Sequence, residues 1–437
     1  MKIPEIQVFD ESEKLEILEA SYFPQIPLSA QEILRLISRV YFQINNDFGS
    51  FNDEVAFLSC EILKNSELYD KSLFKDLIIL SLNFVLGFIK FKCEEVSFID
   101  ELYKENTDKY FAYNYSFLKF MTPLKEKAKI FLNFAKKYDS DELKGDTEKI
   151  LSSIIFDSSR ILIMLRKNNF SYTKKDLENL KSSLCCPVIA DYFFETDKKL
   201  NICLHLRKRA YSMILDDYIS EIDFSEKEKM AFLKCLVNIF DFKSTQTFTH
   251  TISTACYAFS LGKLAGCEKI ELDELFVSGV LHDIGKMAIP RSVLESMGKL
   301  SSTDFTLMRS HVYFSKKMLA GIVPKNIFNI AVHHHEKLDG SGYPDSLTAQ
   351  ELSLQERILT VVDIFSALAQ KRTYKREYTK EEILKILKDL AEQNQLDSDL
   401  YAIILNNYEV FIQGAEEIKP IFNSPIADVE LFYSELV

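Results

Sequence analysis

From Phe224 onward, apolar residues recur at helical spacing in one segment after another. The run "FSEKEKMAFLKCLVNIFDF" predicts a helix that opens on the capping signal of Ser225. "HTISTACYAFSLGKLAG" predicts a second, ended by glycine, and "ELDELFVSGVLHDIGKM" a third, stopped near Pro290. "STDFTLMRSHVYFSKKMLAGI" reads as one continuous helix, with Ser302 and Asp304 near its start. "IFNIAVHHHEKL", "LQERILTVVDIFSALAQKR" and "TKEEILKILKDLAEQN" complete seven. No stretch alternates apolar and polar residues as a half-buried strand would. The pattern implies an all-α protein.

The residues before 220 carry a second, weaker version of the same order. Laid without a gap over the segment from Phe248, the segment from Gly49 pairs Phe51 with His250, Asn83 with His282 and Phe84 with Asp283. "PLKEKAKIFLNFAKKYD" matches "SLQERILTVVDIFSALA" and pairs Asn133 with Asp363. Helix order is kept while each chemical residue is lost. We therefore expect two helical-bundle domains. Residues 1–220 would be a degenerate, metal-free copy serving as regulator or scaffold, and residues 221–437 would carry the chemistry.

Composition narrows this picture. The chain has 437 residues, more than one core usually holds, and 47% of them are hydrophobic. Eight cysteines form no CxxC spacing, so a zinc ribbon or disulfide framework is not expected, and reduced thiols in the cytoplasm are. The N-terminus has no apolar signal core, and the run Leu77–Ile89 reads as a buried helix, too short to span a bilayer. No membrane insertion is expected. A net charge of −12 argues against nucleic acid as a partner but leaves room for a small anion in a local basic pocket.

Six of the seven histidines fall between His250 and His335. In "GVLHDIGKM", His282 and Asp283 interrupt an apolar helix, with Lys286 one turn on. Asp363 lies in "ILTVVDIFSALA", apolar on nearly all sides. Burying such groups unpaired costs several kcal/mol. A metal supplies the missing charge and gathers ligands from several helices. The set His250, His282, Asp283, His311, His334, His335 and Asp363 is too large for one ion. It suits two divalent ions, and N/O ligands without thiolate favour Fe or Mn.

In this order, "HDIGK", "HHE", "DGSGYP", "VVDIFSAL" and "RTY" strongly resemble the HD-GYP family of cyclic dinucleotide phosphodiesterases, a branch of the HD phosphohydrolases. The resemblance runs from about Phe248 to Tyr378. It implies an HD-type fold and hydrolysis of c-di-GMP to linear pGpG, in some members on to GMP, through a hydroxide bridging two metals. A cyclic GMP-AMP phosphodiesterase and a non-hydrolysing dinucleotide receptor are the alternatives.

By position, the resemblance gives His250, His282, Asp283 and Asp363 to one ion, with Asp283 bridging, and His311, His334 and His335 to the other. Lys286, Arg372 and Lys375 match residues that contact substrate, and Gly342 and Tyr343 belong to the substrate-facing turn. His333 is expected outside the ligand set, and Glu336 is expected to orient a ligand imidazole. Gln246 and Ser366 stand where members with three metals carry carboxylates, which implies two ions here. A homodimer or signalling partner is expected through the first half or the GYP loop.

Overall fold

The structure, a computed structural model, describes residues 23–92, 107–182, 185–242, 244–296, 298, 300–370, 378–423 and 425–437. Among these residues every regular element is helical, apart from one isolated bridge between Asp339 and Thr348. Local sequence sets many of the helix starts. Ser353 and Glu356 form a reciprocal capping box at the head of Leu354–Ala369, as do Thr379 and Glu382 at Lys380–Glu392.

The chain divides into two compact units. The division falls between Phe232 and Leu233, inside the helix Glu226–Asp241, and not at residue 220 as the pattern suggested. The chain ends also exchange. The segment ending at Leu28 belongs with Leu233–Asn423, and Ser424–Val437 belongs with Ser29–Phe232. Periodicity cannot reveal such an exchange, because it reports which face of a segment is buried and not what buries it.

In the unit built from Leu233–Asn423, the central helix Thr245–Leu264 packs against Lys269–Leu281, Leu354–Ala369 and Tyr408–Ile418. Leu261, Leu275, Val362, Phe365, Leu400 and Phe411 fill the space between them. The N-terminal segment joins this unit where the Gln25 amide donates to Asp273 (2.7 Å).

In the other unit, Asn46–Lys64 packs against Ala30–Ile44, Phe74–Leu82 and Thr147–Lys167. The C-terminal helix Ile426–Leu436 lies on Asp108–Met121, with Phe432 against Tyr115 and Lys119 over the Phe432 ring (4.2 Å). The apolar run of this unit extends to Lys71–Phe91, long and apolar enough by composition to cross a membrane. However, 78% of its most apolar window is buried inside the fold, and the helix breaks between Leu82 and Leu86.

Two expectations about elements fail. The segment 302–319 is two helices, Ser302–Arg309 and His311–Leu319, with the break at Ser310. Residues 125–133 form a 3₁₀ helix, and the helix packed on Asn46–Lys64 is Thr147–Lys167. On that helix Phe156 places its ring 5.6 Å from that of Phe84.

Candidate active site

The site gathers at helix ends, where chain direction changes and side chains from several helices converge. Lys269–Leu281 stops at His282, and Asp283 follows in the turn that leads to a 3₁₀ helix carrying Lys286. His311 is the first residue of its helix. Lys325–Val332 ends immediately before His333, His334 and His335. A Cβ on Gly285 would lie 1.9 Å from the carbonyl oxygen of His311, so only glycine lets the two segments meet. Ser315 then ties them: its hydroxyl donates to the His282 carbonyl and accepts from the Gly285 amide, both at 2.9 Å.

Three imidazoles are oriented alike. Nδ1 of His282, His311 and His334 lies 2.7, 2.6 and 2.7 Å from the backbone carbonyls of Gly279, Met308 and Ala331. A carbonyl only accepts, so each Nδ1 carries the proton and each Nε2 presents a lone pair to the centre. The Nε2 atoms of His311 and His334 face one another at 3.4 Å. Nε2 of His282 is buried without a hydrogen-bond partner. Lone pairs turned on each other in a buried site require a cation between them, and outer carbonyls on ligand imidazoles are the usual support of such a cation.

Two groups can each hold a metal ion: His250, His282 and Asp283, and His311, His334 and His335. Asp283 lies between them. Its Oδ2 is 3.2 Å from His282 and 3.7 Å from His250, and its Oδ1 is 3.3 Å from His311. Asp363 likewise reaches both, with Oδ1 2.9 Å from His250 and Oδ2 3.6 Å from Nδ1 of His335. The family pattern gave Asp363 to one ion alone.

The electrostatics suit ligands. Burial opposes ionisation of Asp283, but His282 and Lys286 outweigh it and hold the carboxyl well below the usual range. Asp363 is lowered in the same way, its burial outweighed by the bond to His250. Burial pushes His334 well below an ordinary histidine, His311 down to about 3, and His250 and His335 downward too. His282 is the exception: burial lowers it, but the charge of Asp283 raises it further. Ionised carboxylates and neutral imidazoles are the forms that bind metal.

Lys286 pairs with Asp283 while keeping part of its side chain exposed. Tyr343 lies over His335, with ring centroids 4.8 Å apart. Glu336 does not orient an imidazole. Fully buried, it accepts the amides of Asp345 (2.6 Å) and Leu347 (3.0 Å) and so pins the loop that follows the turn. A Cβ on Gly342 would sit 2.5 Å from the Glu336 Cα, which explains the glycine before Tyr343.

His333 stands outside both ligand groups. Its Nδ1 pairs with Glu356, and its Nε2 is 3.4 Å from Asp345. Arg372 and Lys375 lie outside the described residues, as does the side chain of Gln246. Two further residues make contacts in the site that sequence reasoning did not assign to them. Ser366 bonds Nδ1 of His250 (3.2 Å), and the Arg309 guanidinium lies over Tyr343, 4.1 Å from its ring centroid. A serine one turn after Asp363 is a legible signal once helix packing is known; Arg309 has none.

With this geometry in hand, residues 234–400 match the family model described as "HD domain". That stretch is an HD domain. Among curated relatives, it is similar to two 3'3'-cGAMP-specific phosphodiesterases of Vibrio cholerae. One is 31% identical over 43% of this chain and 44% of the relative, the other 34% identical over 40% and 34%. A cyclic di-GMP phosphodiesterase response regulator of Xanthomonas campestris is 33% identical over 39% of this chain and 45% of its own. The chain thus spans less than half the length of these relatives. A crystal structure of a cyclic GMP-AMP-specific phosphodiesterase of V. cholerae shares the fold, with TM-score 0.56 at 15% identity. The match covers 87% of this chain and 98% of that one. The likeness to that structure therefore reaches beyond the HD domain.

Proposed function

We propose that the chain is a metal-dependent cyclic dinucleotide phosphodiesterase that opens c-di-GMP to linear pGpG in the cytoplasm. The observation that carries this reading is the facing of the His311 and His334 Nε2 atoms at 3.4 Å beside a carboxylate that reaches both ligand groups. Two divalent ions held there, Fe or Mn by ligand type, would supply an activated water at neutral pH and neutralise charge on a phosphodiester.

The chain's own residues do the rest. Asp283 and Asp363 reach both ligand groups, and the carbonyls of Gly279, Met308 and Ala331 fix the rings. Lys286 offers an ammonium to the phosphoryl oxygens as their charge grows. Glu336 and Gly342 hold the loop that presents Tyr343 at the mouth. The unit built from Ser29–Phe232 is read as a metal-free scaffold derived from the same fold, and it or the GYP loop supplies the surface for a second copy or a signalling partner.

A second reading, 3'3'-cGAMP as substrate, is favoured by the names of several relatives. The experiment is anaerobic purification, metal analysis, and parallel hydrolysis of c-di-GMP and 3'3'-cGAMP with Fe or Mn. About two ions per chain and turnover of c-di-GMP are expected. Faster cleavage of 3'3'-cGAMP selects the second reading. Metal-loaded protein that cleaves neither dinucleotide sinks both.

A further inference from the structure

Three planar groups are layered at the edge of the site. The His335 imidazole is innermost, the Tyr343 phenol lies 4.8 Å above it, and the Arg309 guanidinium lies 4.1 Å from the Tyr343 ring. Arg309 comes from the end of the helix Ser302–Arg309, just before the break that sets His311 in place. It is exposed, and among the described residues its interactions are with Tyr343 and no carboxylate pairs with it. Here Tyr343 is the partner, through its ring and its hydroxyl, and the remaining guanidinium donors have no protein partner among the described residues. A planar fork with five donors matches the oxygens of a phosphodiester.

A cyclic dinucleotide carries two phosphodiester groups, and only one reacts at a time. Resting on the phosphodiesterase reading above, we propose that Arg309, anchored on Tyr343, binds the second, uncleaved phosphate of the cyclic dinucleotide. The assignment separates affinity from chemistry. Arg309 lies two ring layers beyond the ligand imidazole, so it acts on substrate capture, whereas Lys286 acts beside the reacting group. It also makes no distinction between purines, because both candidate dinucleotides present the same phosphate.

The test uses the full metal-loaded chain and the variants R309A and R309K. KM, kcat and dissociation constants are measured for c-di-GMP and 3'3'-cGAMP, with bis(p-nitrophenyl) phosphate as a substrate that has one phosphate and no purine. R309A is expected to raise KM and the dissociation constant for both dinucleotides alike. The rise should be roughly 10- to 100-fold, the scale of one charged hydrogen bond, and well above any change on the simple diester. R309K, which keeps the charge but not the fork, should fall between.

Three results overturn the proposal alone. Unchanged dinucleotide KM in an active R309A is one. An effect confined to one dinucleotide is the second, since it would assign Arg309 to a base. Loss of metal from R309A is the third, since it would make the arginine a support for His335. Wild-type protein that neither binds nor cleaves either dinucleotide overturns the phosphodiesterase reading and this one with it.

Discussion

Two helix ends in the molecule lead into opposite interiors. At the end of Lys269–Leu281 the chain places His282 and Asp283 among five other titratable ligand candidates. At the end of Phe74–Leu82 it places Asn83 and Phe84. Asn83 has both polar atoms paired: its Nδ2 donates to the Ile79 carbonyl (2.8 Å) and its Oδ1 accepts from the Tyr41 hydroxyl (2.6 Å). Phe84 is ringed by Phe51 (6.0 Å), Phe111 (5.2 Å), Phe131 (6.3 Å) and Phe156 (5.6 Å). One centre is a set of lone pairs that needs a cation, and the other is a closed aromatic cluster with its polar atoms paired. Each centre is framed by helices held together through apolar contacts.

Replacing Asp283 should have the largest effect. Asp283→Ala removes the carboxylate that reaches both ligand groups, so activity should fall by at least about 10³-fold and metal content by one ion or more. Helicity should be retained. Metal analysis beside circular dichroism checks this, and turnover at the wild-type rate would remove Asp283 from the centre. The mirror experiment is Phe84→Ala, which should lower stability by about 3–5 kcal/mol, the scale for a deleted core phenylalanine, and leave metal content unchanged. A metal loss there, measured on folded protein, would erase the contrast between the two centres.

Lys286→Ala should be milder. A fall in kcat of roughly 10²–10³-fold at unaltered metal content is the scale for one lost electrostatic donor. If the variant loses metal instead, the lysine's contact with Asp283 is structural.

The smallest effect concerns pH. In metal-free protein the folded pKa of His311 is about 3, below the unfolded value of about 6.5. Between these values the unfolded chain binds a proton that the folded chain does not. Stability should therefore fall as pH falls through that window, by up to about 1.4 kcal/mol per pH unit for this one group. Thermal unfolding of EDTA-treated protein from pH 7 to 5 should show the decline, with a shallower slope in His311→Gln. An unchanged slope would mean that His311 is not buried neutral.

Much of the site was legible because its chemistry is written in residue types that an apolar helix excludes. His282, Asp283 and Asp363 stand out for that reason alone. The all-helical fold was legible from spacing. What the sequence hid depends on contacts across the chain. The match of Asn133 with Asp363 rests on two amphipathic segments, which align loosely, and only the structure shows that residues 125–133 are a 3₁₀ helix and that Thr147–Lys167 packs on Asn46–Lys64. Glu336 looked like an outer partner of an imidazole because it adjoins two of them. Its real partners, the amides of Asp345 and Leu347, lie beyond a turn whose direction spacing does not give. Ser366 read only as a missing carboxylate, yet it bonds the outer nitrogen of His250.

The exchange of chain ends has a practical side. A single cut near residue 232 would yield two fragments, each lacking a piece of its own fold. The C-terminal fragment would lose residues 23–28 and the bond between Gln25 and Asp273. The N-terminal fragment would lose the helix Ile426–Leu436, exposing Tyr115 where Phe432 had covered it. Neither half can be lifted out as a contiguous expression fragment with its surface intact, and neither can be swapped by one recombination event. A fragment that keeps either unit whole therefore has to draw on both ends of the chain.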